Sequence, residues 1–336
     1  MQRETLELEA RRAGFSKVRI AEAPSPRDFH RYDTFLDRGF AGEMTWLAET
    51  RDVRADVRRL LPEARSVVVL AMDYGRPAPP DPGGLTGRVA SYAWGRDYHN
   101  LIGLRLRDLR RRLEAIHPGL RAWGGVDSGP AWERGWAAAA GLGFTGRNMM
   151  QIVPADGSTF FLAVMLLSEA LAPDAPVEEH CGRCRRCLDA CPTAALLEDG
   201  GMDARRCVSY LTIEHRGSIP VALRPRLGRW IFGCDDCQTA CPHVRLPDRP
   251  LPADFAPRHA WLPLPAVLLA SDEALRDTFE GTPLRRAIGT RLRRNACVAL
   301  GNIGDPAARP ALEVAWRSDD EIVAEHAGWA LDLLRA

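Results

Sequence analysis

Lysine is almost missing from this 336-residue chain: Lys17 is the only one, and arginine supplies the rest of the 45 basic residues. Arginine in that proportion follows from codon usage as readily as from function, so alone it says nothing about polyanions. A net charge of +1 excludes a global attraction to nucleic acid or an anionic surface and leaves only local patches for such work. Long apolar runs are missing too. FFLAVMLL (160–167) is the longest, against the ~20 residues that a spanning helix needs. The opening MQRETLELEARRAGF is charged and has no continuous apolar core, so no secretory leader is expected. The expectation is a cytoplasmic protein with no membrane partner, in a compartment that keeps thiols reduced. No GxGxxG opens a helix after a strand and no Walker loop occurs, which excludes the usual dinucleotide and P-loop signatures.

With 46% apolar and 26% charged residues the composition is that of a globular protein, and the length has room for two or three domains. Residues 1–170 alternate helical and strand patterns, an α/β arrangement. SVVVLAMDY (66–74) reads as a buried strand and RVASYAW (88–94) as another, followed by a helix from His99 to about Ile116. LRAWGGVD (120–127) reads as a strand ending at Asp127, and PAWERGWAAAAGLG (130–143) as a helix stopped by glycines. QIVP and STFFLAVMLL, joined by ADG, read as a β-hairpin. Residues 171–250 hold a linker and nearly all the cysteines. Residues 251–336 begin with a proline-studded connector and end in helices. There NACVALGNI (295–303) aligns with HAGWALDLL (326–334), placing Ala296, Ala299, Leu300 and Ile303 over Ala327, Ala330, Leu331 and Leu334. A repeat offset of 31 residues predicts stacked helices of the HEAT kind.

The cysteines carry the strongest signal. CGRCRRCLDACP (181–192) packs four of them into a CxxCxxCxxxCP pattern, and CDDCQTACP (234–242) echoes it. Structural zinc usually takes two CxxC pairs across a longer loop. CxxCxxC suits three corners of one iron–sulfur cubane, and the cysteine before the proline then serves the other cluster, as in two-cluster ferredoxins. If Cys207 joins the second motif, eight ligands serve two 4Fe-4S clusters. The expected assignment is crossed: Cys181, Cys184, Cys187 and Cys241 for one, Cys191, Cys207, Cys234 and Cys237 for the other. Two zinc sites are the alternative. Cys297, on the apolar face of a repeat helix, reads as a buried core thiol.

A two-cluster module moves single electrons, so the α/β domain is where an acceptor is sought. VDSGPAWERGWAAAAGLGFTGRN (126–148) puts Asp127 at a strand end beside Trp123, Trp132 and Trp136. A carboxyl desolvated there would stay protonated near neutral pH, as a general acid must. The plainer reading is that Asp127 caps the next helix.

In this stretch, together with WGRDYHNL (94–101), CGRCRRCLDACPTAAL (181–196), RCVSYLTIEHRG (206–217), FGCDDCQTACP (232–242) and the repeat tail, the chain resembles the epoxyqueuosine reductases of queuosine tRNA modification. The likeness runs in order from about residue 30 onward. It implies a cobalamin-binding α/β domain, a ferredoxin-like module with two 4Fe-4S clusters, and a C-terminal all-α HEAT-like segment. The implied reaction is reduction of the epoxide of epoxyqueuosine in tRNA, with electrons from an external low-potential donor and Asp127 as proton donor. The resemblance also places Arg54, Asp97, Gln151, Ser209 and Arg216, with Asp127, in segments that line the corrin and substrate. His99 reads as orienting a neighbour rather than ligating cobalt. For the tRNA, LRRAIGTRLRRN (284–295) gathers Arg285, Arg286, Arg291, Arg293 and Arg294, a patch suited to phosphates. RLRDLRRRLEA (105–115) reads instead as a solvated helix face. The expected state is a monomer. Two competing readings are a corrinoid reductive dehalogenase, against which the missing twin-arginine signal counts, and a ferredoxin-type carrier, which leaves the α/β domain unexplained.

Overall fold

In a computed structural model, residues 1–26, 28–246 and 251–335 are described. Residues 247–250 of the proline-studded connector fall outside them. The two longest apolar runs lie side by side. Strand Ser66–Asp73 is buried at every position and pairs antiparallel with Phe160–Leu167, Ser66 opposite Leu167 and Asp73 opposite Phe160. Lys17–Glu22 adds to the free edge of the first run, and Ala122–Gly125 to the free edge of the second. This four-stranded antiparallel sheet is covered on both faces, which is why its two central strands need no polar alternation. Val68, Leu70 and Met72 meet Leu6 and Ala10 of helix Arg3–Arg12 and Ile102, Leu106 and Leu109 of helix Tyr98–Ile116. Val67, Val69 and Ala71 meet Trp136 and Ala137 of helix Glu133–Ala139.

Two expectations are corrected. The hairpin between QIVP and STFFLAVMLL does not form: Gln151–Ile152 pairs with Phe144–Thr145. Both edges of Phe160–Leu167 are already taken by long-range partners, and ADG closes only an isolated Val153–Gly157 bridge. RVASYAW is not one strand. Thr86–Val89 is extended and Ser91–Ala93 is a 3-10 turn. That short strand belongs to a second sheet, parallel to Trp230–Phe232 and antiparallel to Trp261–Pro263, so three distant stretches of chain close on one another.

The C-terminal part is helical from Leu264 onward. Helices Thr290–Ile303, Arg309–Trp316 and Glu321–Leu333 pack together. Ala296, Ala299 and Leu300 share one core with Ala327, Ala330 and Leu331, and Ile303 and Leu334 pack against it. Gly301 is required at this crossing, since a Cβ there would stand 2.8 Å from the Trp329 ring. Cys297 is fully buried in the same core. No helix among the described residues is long and apolar enough to cross a membrane.

Candidate active site

The residues around Asp127 converge from four places in the sequence. Two residues beyond strand Ala122–Gly125, Asp127 adopts a left-handed φ of 42°, a conformation uncommon for a residue with a Cβ. Its side chain is 60% exposed. It does not cap the following helix, whose N-terminal flank is Trp132 with no side-chain cap. Helix Tyr98–Ile116 delivers the partners. Asp97 caps it, accepting from the His99 amide at 3.0 Å and from His99 Nδ1 at 2.7 Å. His99 Nε2 lies 2.9 Å from Asp127 Oδ2, the same oxygen that accepts from the Tyr98 hydroxyl. Tyr98 is held between rings, stacked on Phe161 and on His99 at 4.1 Å each.

The charges follow from this geometry. The surrounding protein disfavours an ionised Asp127, but hydrogen bonds from His99 and Tyr98, with the charges of His99 and Arg286, outweigh it and bring the carboxyl down to about 2. Burial opposes a charge on His99 as well, and its two carboxylate partners overcome that, raising it to about 9. The expectation of a protonated Asp127 is therefore corrected: at neutral pH the proton sits on His99, and Asp127 is its anionic partner. Both imidazole nitrogens are engaged, so His99 orients Asp127. That pairing was hidden because 28 residues separate the two in sequence.

Arg286 reaches the same region from the C-terminal part. It clasps Glu214 at 2.7 and 3.1 Å and lies over the Trp46 ring, 5.6 Å from its centroid. Behind Tyr98, the Tyr92 ring at 6.2 Å bridges to Phe232 at 6.3 Å, two residues before Cys234. Gly233 makes that approach possible, because a Cβ there would stand 2.5 Å from Ala90 Cβ.

The other residues expected to line the corrin have these surroundings. Arg54, 6% exposed, donates to Thr50 Oγ1 at 2.9 Å and to the Ala131 carbonyl at 2.7 Å, so it braces the Asp127 loop from behind. Asp97 is spent on His99. Gln151 is buried, accepts weakly from Thr145, and its Nε2 has no partner among the described residues. Ser209 sits in helix Val208–Ile213. Arg216 is exposed, its amide donating to Glu43.

The expected tRNA patch is partly dismantled. Arg294 is wholly buried, donating to the carbonyls of Leu211 (2.7 Å) and Gly217, and has no reach to a phosphate. Arg291 donates to the Ile213 and Arg286 carbonyls. Arg293 is tied to Asp272 at 2.6 Å and to the Ala270 carbonyl. Arg285 points outward. The motif looked uniform because arginine serves equally as a surface cation and as a buried multi-donor clasp for carbonyls.

The thiols separate into two groups. Cys181, Cys184, Cys187 and Cys241 line one cavity with Arg147, His180 and His243. Cys191, Cys207, Cys234 and Cys237 are each partly buried and do not line that cavity. Burial pushes the Cys207, Cys234 and Cys237 thiols up, and neighbouring thiols add to it: Cys191 acts on Cys207, Cys207 and Cys237 on Cys234, and Cys207, Cys191 and Cys187 on Cys237. Such all-sulfur sets ionise only when a cationic centre is bound, which is the donor chemistry of iron–sulfur clusters.

Comparison with known proteins gives two family matches. Residues 54–128 match the family described as epoxyqueuosine reductase QueG, DUF1730, and residues 180–244 match a 4Fe-4S double cluster binding domain. The epoxyqueuosine reductase of Gloeobacter violaceus is 42% identical, across 89% of this chain and 96% of that protein. The crystal structure of an epoxyqueuosine reductase with an epoxyqueuosine-modified tRNA-Tyr stem loop is 30% identical, with a TM-score of 0.87 over 98% of this chain and 89% of that one. The Bacillus subtilis epoxyqueuosine reductase, solved with an aspartate-bearing catalytic loop swung out of its active site, is 30% identical, with a TM-score of 0.86 over 98% and 90%.

Proposed function

The chain belongs to the epoxyqueuosine reductase family, and on that premise we propose how its own residues carry the reduction of epoxyqueuosine in tRNA to queuosine. The reading rests on one observation above all: the Asp97–His99–Asp127 chain of hydrogen bonds, which stores a proton beside an accessible carboxylate. Opening the epoxide and losing its oxygen as water consumes two electrons and two protons. Cobalamin, when bound, supplies the electrons at the substrate carbon, fed one at a time through two 4Fe-4S clusters from an external low-potential donor. Asp127 is the catalytic residue. It receives a proton from His99 Nε2 and passes it to the oxygen that is leaving, while Tyr98 fixes the carboxylate's direction. A depressed carboxyl suits a relay better than a store, since it gives up each proton as soon as the substrate oxygen becomes basic.

The crossed assignment of cluster ligands is supported by the shared cavity of Cys181, Cys184, Cys187 and Cys241, which leaves Cys191, Cys207, Cys234 and Cys237 for the second cluster. For the corrin, the Nε2 of buried Gln151, without a partner among the described residues, is a donor that a bound amide oxygen would satisfy, and Ser209 and the exposed Arg216 are further candidates. Arg54 and Asp97 act on the loop and on His99 instead. Residues 1–170 thus form the cobalamin-binding domain, 171–250 the ferredoxin-like domain and 251–336 a HEAT-like helical domain. Arg285 is the best-placed phosphate contact. Arg286 acts nearer the reacting centre.

The deciding experiment incubates reduced, cobalamin- and cluster-loaded protein with tRNA carrying epoxyqueuosine and identifies the nucleoside by mass. Loss of one oxygen atom is the expected result; an unchanged nucleoside overturns the reading.

A further inference from the structure

A second carboxyl lies six residues beyond Asp127 along the same loop, and the steps above make no use of it. Glu133 opens helix Glu133–Ala139, on the loop that carries Asp127. Its Oε1 is buried and has no hydrogen-bond partner among the described residues. The charged groups facing it are Asp127 on its own loop and Arg54 from helix Arg51–Ala55. Arg54 is already committed to Thr50 and Ala131. Elsewhere the helix packs on apolar side chains, among them Val57, Val69 and Val164.

A glutamate in a first helical turn ordinarily keeps its oxygens in water, and an unpaired buried carboxylate is costly. A protonated carboxyl is tolerated there. Burial, reinforced by the Asp127 charge, raises Glu133 to about 7.

The reaction itself asks for such a group. Both carbon–oxygen bonds of the epoxide break, two electrons enter the carbon framework, and the oxygen departs as water carrying two protons. His99 stores one proton for Asp127. We propose that Glu133 stores the second, handing it to the Asp127 carboxylate after the first has left. Glu133 thus acts through Asp127 and not on the substrate. This rests on the reading of Asp127 given above.

Glu133→Gln keeps the size of the side chain and removes the titratable proton. In the loaded enzyme acting on the epoxyqueuosine stem loop, kcat is expected to fall about 10²-fold with KM unchanged. The descending limb of the kcat profile near pH 7 disappears, and Glu133→Asp restores part of both. In cofactor-free protein, a protonated-carboxyl infrared band that titrates near pH 7 is present in the wild type and lost in Glu133→Gln. Wild-type kcat and pH profile in Glu133→Gln, or no titrating band in the wild type, overturn the proposal. Since the infrared measurement needs no turnover, an inactive wild type would count against the assigned reaction alone, and the band would still decide the role of Glu133.

Discussion

The imidazole Nε2 of His99 stands 2.9 Å from Oδ2 of Asp127. Because the other nitrogen is held by Asp97, the ring cannot turn away without breaking both contacts, and its proton is aimed at one carboxylate oxygen. From this pair the behaviour of the site follows.

Asp127→Asn should lower turnover by about 10²–10⁴-fold, the usual range for loss of a positioned acid–base group, with the iron–sulfur absorption unchanged. His99 loses one of its two carboxylates, so its titration, followed by NMR, should shift downward from about 9. Retained turnover would remove Asp127 from the mechanism.

Stability should depend on pH through His99. Its pKa is raised on folding, from 6.5 to about 9, so its contribution is complete below pH 6.5 and fades as the pH climbs through 9. The urea midpoint of the wild type should therefore fall across that window. His99→Gln should remove this part of the slope. Asp97 and Asp127 are shifted the opposite way, and their contribution is lost only as the medium becomes strongly acidic.

The two outward- and inward-facing arginines of one motif should separate cleanly. Arg294→Met strips donors from the buried carbonyls of Leu211 and Gly217 and should cost on the order of 2–4 kcal/mol in denaturant unfolding. Arg285→Glu should leave the unfolding midpoint in place, weaken tRNA binding, and reduce the salt slope of that binding by about one. Equal effects of the two on stability would contradict this placement.

Cys241→Ala and Cys191→Ala test the crossing. Each should remove half of the bound iron from the reconstituted protein and leave the other cluster visible by electron paramagnetic resonance. The first should destroy the cluster of Cys181, Cys184 and Cys187, and the second that of Cys207, Cys234 and Cys237. If Cys191→Ala instead destroyed the Cys181 cluster, each motif would hold its own.

These sites differ in how openly the chain displayed them. The runs at 66–73 and 160–167 were legible because a strand buried on both faces must be apolar throughout. The cysteine spacing spoke plainly because cluster geometry fixes it locally. The tail repeat was visible since Ala296 and Ala327 answer the same packing demand. What stayed hidden depends on partners far away in sequence. The pairing of Phe160–Leu167 with Ser66–Asp73 displaced a tempting hairpin. The charge of Asp127 is decided by Tyr98 and His99, and the Trp residues that suggested a dry, neutral acid gave no sign of them. Glu133 sat inside the quoted motif unremarked, because an acidic residue in a first helical turn usually needs no explanation.

The small sheet that joins Thr86–Val89 to Trp230–Phe232 and Trp261–Pro263 places a condition on biosynthesis. At about 5–20 residues per second on a ribosome, Val89 waits roughly ten to thirty-five seconds before its last neighbour is made. All eight clustered thiols emerge within that interval. A cell making this protein therefore has a period in which the chain is unfinished, all its clustered cysteines have been made, and the sheet that joins these distant stretches is still open.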